Sequence, residues 1–279
     1  MMIFAVISIA LFWITFATTR ERVKPLQEKS SLRLDLKAML ANGPWIALFF
    51  AAIFTLMNVA VRNGAIMYYF KYYVGDDGTP IFLIFDKTAV FMSLGLFTMV
   101  VGIACTKLLA ARFDKRKLLM ALSLLNAVAL AAFFVIPPDQ YWLMVVVNAI
   151  GTLIIGPTPA LVWAMYADTA DYGEWKSGRR TTALVFSALQ FAQKLGLAVG
   201  AGLSGFILSL FGFVANEAQS DLSITGIRLM FSVFPAALAI GGVVAVYFYS
   251  LTDVKIQTIE AELNKRHGID PDEAAVPAG

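Results

Sequence analysis

Seven apolar runs, each of about 18 residues or more, occupy most of the chain. They cover residues 1–19, 44–70, 81–109, 118–136, 141–167, 182–214 and 224–251. Runs of this length suffice for a helix to cross a hydrocarbon core roughly 30 Å thick. None of them alternates apolar and polar residues with a period of two, as the strands of a membrane β-barrel do. The sequence therefore predicts an all-α, polytopic transmembrane bundle of seven helices, because helices satisfy their own backbone polar groups within lipid.

The composition also indicates a membrane protein. Hydrophobic residues make up 59% of the chain and charged residues 15%, whereas soluble domains contain about 45–50% and about 25%. This composition excludes a water-soluble enzyme, because so many apolar side chains do not fit into one soluble core. The single Cys105 and the single His267 exclude a disulfide scaffold and a metal site built from cysteines or histidines. We expect no catalytic residues, no metal or cofactor and no nucleic-acid partner.

The basic residues indicate the orientation of the helices. Sixteen of the 22 Lys and Arg residues lie in alternate connections, at 20–43, 110–117, 168–181 and 252–279. The opposite connections contain one basic residue, Lys71, against five acidic residues. Short cytoplasmic loops are rich in Lys and Arg. We therefore expect a multi-pass protein of the cell (inner) membrane, with its N-terminus outside and its C-terminus in the cytoplasm.

The connection at 20–43 divides the chain. Most connections have fewer than about 12–15 residues, and this one is longer. Six of its residues are basic. We interpret it as a cytoplasmic linker between two halves of a larger protein. On this interpretation residues 1–19 form the last helix of a missing N-terminal bundle, residues 44–251 form a six-helix bundle, and residues 252–279 form a cytoplasmic tail.

Two of the apolar runs carry polar side chains far from their ends. Lys194 lies thirteen residues into the run at 182–214, which places it about 18 Å along a helix, near the bilayer midplane. A charge at this depth is costly and usually faces a cavity or a partner. Gln190 and Gln193 lie in the same run, and Asn58 and Arg62 lie in the run at 44–70. We predict that these five side chains line a pathway for a substrate or an ion, with a position at the outer interface as the alternative for Arg62.

A charged segment follows the fifth apolar run. Its charged residues are Asp168, Asp171, Glu174, Lys176, Arg179 and Arg180. The three acidic residues recur every three positions at the predicted C-terminal end of a helix, where the helix dipole disfavours carboxylates. They therefore need cationic partners, and basic residues follow in the same loop. We predict a set of ion pairs that forms a gate at the cytoplasmic mouth of the pathway.

These motifs resemble those of a known family. The segment Ala167-Asp168-Thr169-Ala170-Asp171-Tyr172-Gly173-Glu174, its continuation to Arg180, and the later Gln193-Lys194-Leu195-Gly196 resemble the glycoside–pentoside–hexuronide:cation symporters. This is the melibiose-permease-like branch of the major facilitator superfamily. The aromatic run at 68–75 resembles the seventh helix of the same family. The resemblance covers nearly the whole chain, as the last helix of the N-terminal half and the complete C-terminal half of a twelve-helix transporter.

The resemblance implies roles for the residues at matching positions. Lys194 would face acidic residues of the missing N-terminal half, near the sugar and cation sites. The residues that resemble the family's cytoplasmic gate are Asp168, Asp171, Glu174 and Arg180. Gln190 and Thr182 depart from the pattern of the melibiose carrier, which leaves the coupling cation, Na⁺ or H⁺, open.

The sequence thus favours a sugar:cation symporter that works by alternating access. Its partners would be a small sugar, a monovalent cation, the lipid bilayer and the missing bundle. A seven-helix receptor fits the number of runs, but it gives no purpose to the midplane lysine or to the charged segment. A Mg²⁺-dependent, prenyl-transferring membrane enzyme could use the paired aspartates, but such enzymes need two acidic clusters on facing helices and this chain has one.

Overall fold

The computed structural model describes residues 2–19, 32–179 and 181–267. These residues form helices joined by turns, with one isolated β-bridge between Phe82 and Phe85, and the predicted all-α architecture is confirmed. A π-helical turn, Tyr69–Val74, extends the third helix. The α-helices are α1 (Met2–Thr18), α2 (Leu32–Leu40), α3 (Gly43–Tyr68), α4 (Lys87–Ala104), α5 (Thr106–Ala110), α6 (Lys115–Ala132), α7 (Tyr141–Ile155), α8 (Thr158–Ser177), α9 (Thr182–Leu210), α10 (Asp221–Phe231), α11 (Val233–Tyr247) and α12 (Asp253–His267).

α1 belongs to a compact unit of its own, residues 1–32, and residues 33–279 form a second unit. α1 is apolar along its whole length, and its described large apolar side chains are exposed. A helix that is hydrophobic all round is typical of a membrane segment.

Within the described residues, five helical stretches are long and apolar enough to cross a membrane: Gly43–Val74, Lys87–Ala104, Tyr141–Ser177, Thr182–Leu210 and Asp221–Tyr247. A shorter apolar helix covers Phe4–Thr18. The remaining predicted span, at 118–136, corresponds to α6, which begins with three basic residues and ends at Ala132. Its last four predicted residues form a turn before Pro137 and Pro138, because proline lacks a backbone donor and disfavours helix in the preceding residue.

The helix of the third apolar run begins later than the sequence predicts. The sequence predicts a helix from residue 81, but α4 begins at Lys87. Residues 81–85 instead form a short hairpin closed by hydrogen bonds between Phe82 and Phe85. Asp86 then caps α4, since its carboxylate accepts a 2.7 Å hydrogen bond from the Ala89 amide. All five apolar side chains of the hairpin are exposed beside the helix.

α3 and α9 pack with their backbones close together. A Cβ at Gly196 would lie 2.6 Å from the Ile53 carbonyl oxygen, and one at Gly200 would lie 2.8 Å from that of Met57. Glycine permits this approach, as small residues do at many membrane helix interfaces. The contacts advance in the same direction along both helices, so α3 and α9 run parallel.

Two buried clusters mark the two ends of the bundle. One contains Trp45, Leu119, Met165 and residues of α12. We call this end, where α2, the start of α6, the end of α8 and α12 meet, the basic end. The other cluster includes Tyr69, Phe70, Phe91, Phe133 and Phe231. We call that end the aromatic end.

The predicted linker and tail contain helices that we did not expect. Residues 32–40 of the linker form α2, and Asp253–His267 of the tail form α12. Ile256, Ile259 and Leu263 of α12 are buried at the basic end, and their spacing of three and four residues places them on one helix face. α12 is therefore a docked part of the bundle. Residues 20–31 and 268–279 lie outside the described residues.

Asp76 connects the loop before α4 to the start of that helix. Its Oδ2 accepts hydrogen bonds from the Thr88 amide, at 2.9 Å, and from the Thr88 hydroxyl. Burial acts to raise the pKa of this carboxyl, but the hydrogen bonds from Thr88 and Gly78 and the nearby charge of Lys87 bring the pKa below its usual range.

The lowered pKa of Asp76 predicts that acid loosens this connection. A carboxyl with a lowered folded-state pKa stabilises the fold above its unfolded pKa, about 3.9, and this stabilisation is lost as the pH falls through the folded-state pKa. We expect the hydrogen-exchange protection factor of the Thr88 amide to fall below about pH 4. In Asp76→Asn, protection should be low at every pH. Equal protection of the wild-type amide at pH 3 and pH 7 would contradict this prediction.

Candidate functional site

Lys194 lies in the middle of α9, with its side chain on an exposed face. Gln190, one turn earlier, is also exposed and shares that face by its spacing. Gln193 is half-buried and lies against the hydroxyl of the buried Tyr166. Among the described residues Lys194 forms no ion pair. An ammonium group halfway along a membrane helix needs a polar cavity or a charged partner on that face.

The contacts between α3 and α9 separate Lys194 from Arg62. Gly196 contacts Ile53, so Lys194 lies near the level of residues 50–52 of the parallel α3. Arg62 is about ten residues further along α3, which corresponds to about 15 Å. The five residues predicted to line one pathway therefore do not form one cluster.

Arg62 is directed into the bundle. Its guanidinium lies 4.9 Å from the ring centroid of Phe133 and 4.6 Å from that of Phe231. Its Nη2 donates a 3.0 Å hydrogen bond to Asn148 Oδ1. Asn58, one turn earlier on α3, is half-buried. Cation–π contacts and a side-chain hydrogen bond thus connect Arg62 to α7 and α10, as expected of a residue that holds membrane helices together.

A chain of polar contacts continues from Arg62. The Asn148 Nδ2 donates a 3.1 Å hydrogen bond to the Phe91 carbonyl, and the Thr98 and Thr152 hydroxyls lie 2.7 Å apart. Gly95 leaves room for Asn148, since a Cβ there would lie 2.5 Å from Nδ2. Asn148 is not among the site residues predicted from the sequence. The signal that could have found it is its position as a polar residue inside an apolar run.

At the basic end, Asp168 is the centre of a charged cluster. Lys115 Nζ lies 2.7 Å from Asp168 Oδ2 and 3.4 Å from Asp253 Oδ1. The Tyr249 hydroxyl donates a 3.4 Å hydrogen bond to the same oxygen of Asp168. Asp168 itself is buried, with 6% of its surface exposed. The cluster therefore joins α6, α8, the end of α11 and α12 around one carboxylate.

Burial and charge act in opposite directions on Lys115. Burial acts to lower its pKa, but the carboxylates of Asp168 and Asp253 act more strongly together and raise the pKa above its usual value. Burial and the charge of Asp168 both raise the pKa of Tyr249. Lys115 is thus a cation at neutral pH and Tyr249 a neutral hydrogen-bond donor, which suits both to a carboxylate partner.

The partners of the other charged residues differ from those predicted. The contacts at the end of α8 are Glu174 with His267 at 2.8 Å, the Trp175 indole with Glu262 at 2.6 Å, and Arg179 with Asp35 at 2.6 Å. Lys176 donates a 3.0 Å hydrogen bond to the Ala41 carbonyl. Asp171 is half-buried on the same helix, and Arg180 lies outside the described residues.

The geometry of α8 explains this difference. The sequence assigns 168–181 to a connection whose three acidic residues lie at the end of a helix, and α8 extends through all three of them to Ser177. A helix places Asp168 and Glu174 about 9 Å apart along its axis, so they face different neighbours instead of one cluster of basic residues. The partners described here for Asp168, Glu174 and Arg179 accordingly come from α6, α12 and α2.

Removing Lys115 should destabilise the basic end. Lys115→Met leaves a buried carboxylate without its cation, a change that costs about 3–5 kcal/mol in a fully buried pair. Because the Lys115 side chain is 23% exposed, we expect a smaller loss, about 1–3 kcal/mol in the free energy of unfolding. The thermal unfolding midpoint in detergent measures it. Lys117→Met, which removes an exposed neighbour, is the control, and an equal effect in both variants would refute the pairing.

Comparison with known proteins decides the family. A family model described as MFS/sugar transport protein matches residues 1–253. The chain belongs to this family. The inner membrane symporter YicJ of Escherichia coli (strain K12) is 34% identical over 269 residues, which cover 93% of this chain and 56% of the relative. The isoprimeverose transporter of Lactiplantibacillus pentosus is 30% identical, with 95% and 54% covered.

A further relative is the putative glycoside/cation symporter YagG of Escherichia coli (strain K12), which is 31% identical over 92% of this chain and 55% of the relative. The predicted resemblance to glycoside:cation symporters is thus confirmed. The family consists of transport proteins, so the receptor and enzyme alternatives do not apply. The chain spans about half the length of the curated relatives it matches.

Proposed function

We propose that the chain forms one side of a transporter that couples the movement of a sugar to that of Na⁺ or H⁺. In this proposal residues 44–251 pack against an N-terminal bundle, and the two bundles rock around a site near the bilayer midplane. The names of the relatives YicJ and YagG, a symporter and a putative glycoside/cation symporter, support this mode of transport. The isoprimeverose transporter supports a sugar as the substrate, and glycosides, pentosides and hexuronides are the classes that we propose.

The exposed position of Lys194 carries the proposal. Its ammonium group lies halfway along a span and outside the packed interior of the bundle. Lipid cannot solvate such a charge, and placing a lysine at the centre of a membrane helix costs about 2.5–3.5 kcal/mol on insertion scales. A second bundle with buried carboxylates would supply the partner, and Gln190 beside it would supply hydrogen bonds to a sugar. The other three predicted pathway residues have contacts within the bundle or are half-buried, so Lys194 and Gln190 are our first choice.

We also propose that the basic end faces the cytoplasm and carries the gate. The sixteen basic residues of the alternate connections support this orientation. Asp168, Asp171, Glu174, Lys176 and Arg180 would hold that end closed in one state and exchange partners in another. The contacts of Asp168 and Glu174 with α6 and α12 mean that the gate would include the tail helix.

Uptake measurements test the proposed coupling. Cells that produce the chain together with its N-terminal bundle are given radiolabelled glycosides, pentosides and hexuronides under an imposed Na⁺ or H⁺ gradient. We expect one sugar class to accumulate above its external concentration, and one ionophore, for Na⁺ or for H⁺, to abolish the accumulation. Uptake that reaches only the external concentration and ignores both ionophores would contradict symport.

A further inference from the structure

A cavity of about 580 Å³ opens at the aromatic end. Ile81 and the residues just before α7 complete walls that come mainly from three places: the end of the π-helical turn, the beginning of α4 and the beginning of α7. Each of these is also the end of a candidate membrane span. The cavity therefore lies at the level where the hydrocarbon core gives way to the headgroup region, the level at which Tyr and Trp concentrate in membrane proteins.

The aromatic walls of the cavity are fixed in place. The Tyr141 hydroxyl donates a 2.9 Å hydrogen bond to the Lys87 carbonyl, and the Tyr73 hydroxyl donates a 2.8 Å bond to the Ile136 carbonyl. The Tyr141 and Trp142 rings meet edge to face at 5.2 Å. Trp142 is nevertheless 65% exposed. The site thus presents two tyrosines held by hydrogen bonds and an exposed indole side chain.

Two opposite charges line the cavity without neutralising each other. Lys87 and Asp139 both lie in its wall, and within the described parts of the chain neither forms an ion pair. Asp76 and Asp86 lie nearby but are engaged by backbone amides of α4. The cavity lining thus carries one basic and one acidic side chain, which disfavours a purely anionic ligand and favours one that carries both charges.

An apolar surface continues from the cavity. Ile81 lines it and begins the hairpin at 81–85, whose tip residues Leu83 and Ile84 are 79% and 83% exposed. Leu83 also has a positive φ of 52°, a conformation that a non-glycine residue seldom adopts. A patch of large apolar side chains at this level, next to polar groups, is typical of a surface that contacts lipid.

We propose that this cavity and hairpin bind a zwitterionic phospholipid with an ethanolamine headgroup. The ammonium contacts Asp139 and the aromatic faces, since ring faces attract cations. The phosphate contacts Lys87, and the acyl chains lie along residues 81–85. The headgroup chemistry is shared with free phosphoethanolamine, but the hairpin favours the membrane lipid as its source.

Native mass spectrometry of the purified chain in detergent tests this proposal. Bound lipid is counted after titration with phosphatidylethanolamine or with phosphatidylglycerol of identical chains. We expect the ethanolamine lipid to bind about fivefold more tightly, as one partly exposed ion pair allows. Asp139→Asn should remove that preference. Asp221→Asn, an equally conservative change of an exposed acidic residue at the start of α10, should retain it.

Two further measurements decide between lipid and free ligand. Leu83→Asn with Ile84→Asn should weaken binding of the ethanolamine lipid, and soluble glycerophosphoethanolamine should not compete with it. Competition by the soluble compound, with no effect of the hairpin changes, would overturn the lipid as the ligand. Equal binding of both lipids to the wild type, or equal behaviour of the two aspartate variants, would overturn the site itself.

Discussion

Replacing Lys194 by alanine should reduce sugar accumulation about a hundredfold. On the proposed function, the ammonium pairs with a carboxylate of the opposite bundle inside the membrane. Removing one member of a buried pair leaves an uncompensated charge and costs about 3–5 kcal/mol, and about 2.7 kcal/mol already corresponds to a hundredfold change. The measurement is steady-state accumulation of labelled sugar under the coupling gradient in cells producing the complete transporter.

Controls separate a role in coupling from a loss of structure. Lys107→Ala removes another exposed lysine, on the short helix α5 outside the candidate spans, and should leave accumulation unchanged. Lys194→Arg keeps the charge and should retain part of the activity. Exchange of labelled for unlabelled sugar without a gradient, together with the amount of protein in the membrane, shows whether the alanine variant still folds and binds sugar. Full accumulation by Lys194→Ala would refute the proposed pairing.

The depth of Lys194 could be predicted from the sequence, because the position of a residue in an apolar run gives its depth in the membrane. The surroundings of Arg62 could not be predicted from the sequence. α3 is apolar around most of its circumference, so no periodic pattern indicates which face is buried. The partner Asn148 is 86 positions away, and only the tertiary fold, in which the Arg62 side chain reaches α7, brings the two together. For this reason we grouped Arg62 with Lys194 although they lie at different levels.

The basic end shows a similar limit. The charged residues of 168–180 could be predicted to need partners and to lie at the end of a helix, but neither the extent of that helix, up to Ser177, nor the neighbours it meets could be predicted. The partners of these charged residues include Lys115, which lies 53 positions before Asp168, and His267, which ends the segment interpreted as a tail. The apolar residues Ile256, Ile259 and Leu263 carried a helical pattern, yet the low overall hydrophobicity of the segment concealed it.

Gly200→Ala should destabilise the bundle strongly, while Gly202→Ala on the same helix should not. A Cβ at Gly200 would lie 2.8 Å from the Met57 carbonyl oxygen and 2.7 Å from the Ala60 Cβ. Neither neighbour can rotate away, since one is backbone and the other has no further atoms, so α3 and α9 must separate. Overpacking of this kind costs about 1–3 kcal/mol, and loosening the glycine contact of two parallel helices adds to it.

Gly202 provides the control because a Cβ there meets no atom within 4 Å. Alanine at that position should be neutral or slightly stabilising, since it is the better helix former by up to about 1 kcal/mol. Thermal unfolding midpoints of the three proteins in the same detergent measure the difference. Rocking of two bundles requires each to move as one body, so Gly200→Ala should also lower sugar uptake more than its membrane level explains. Equal midpoints for the two variants would show that α3 and α9 are not held at the distance their glycines permit.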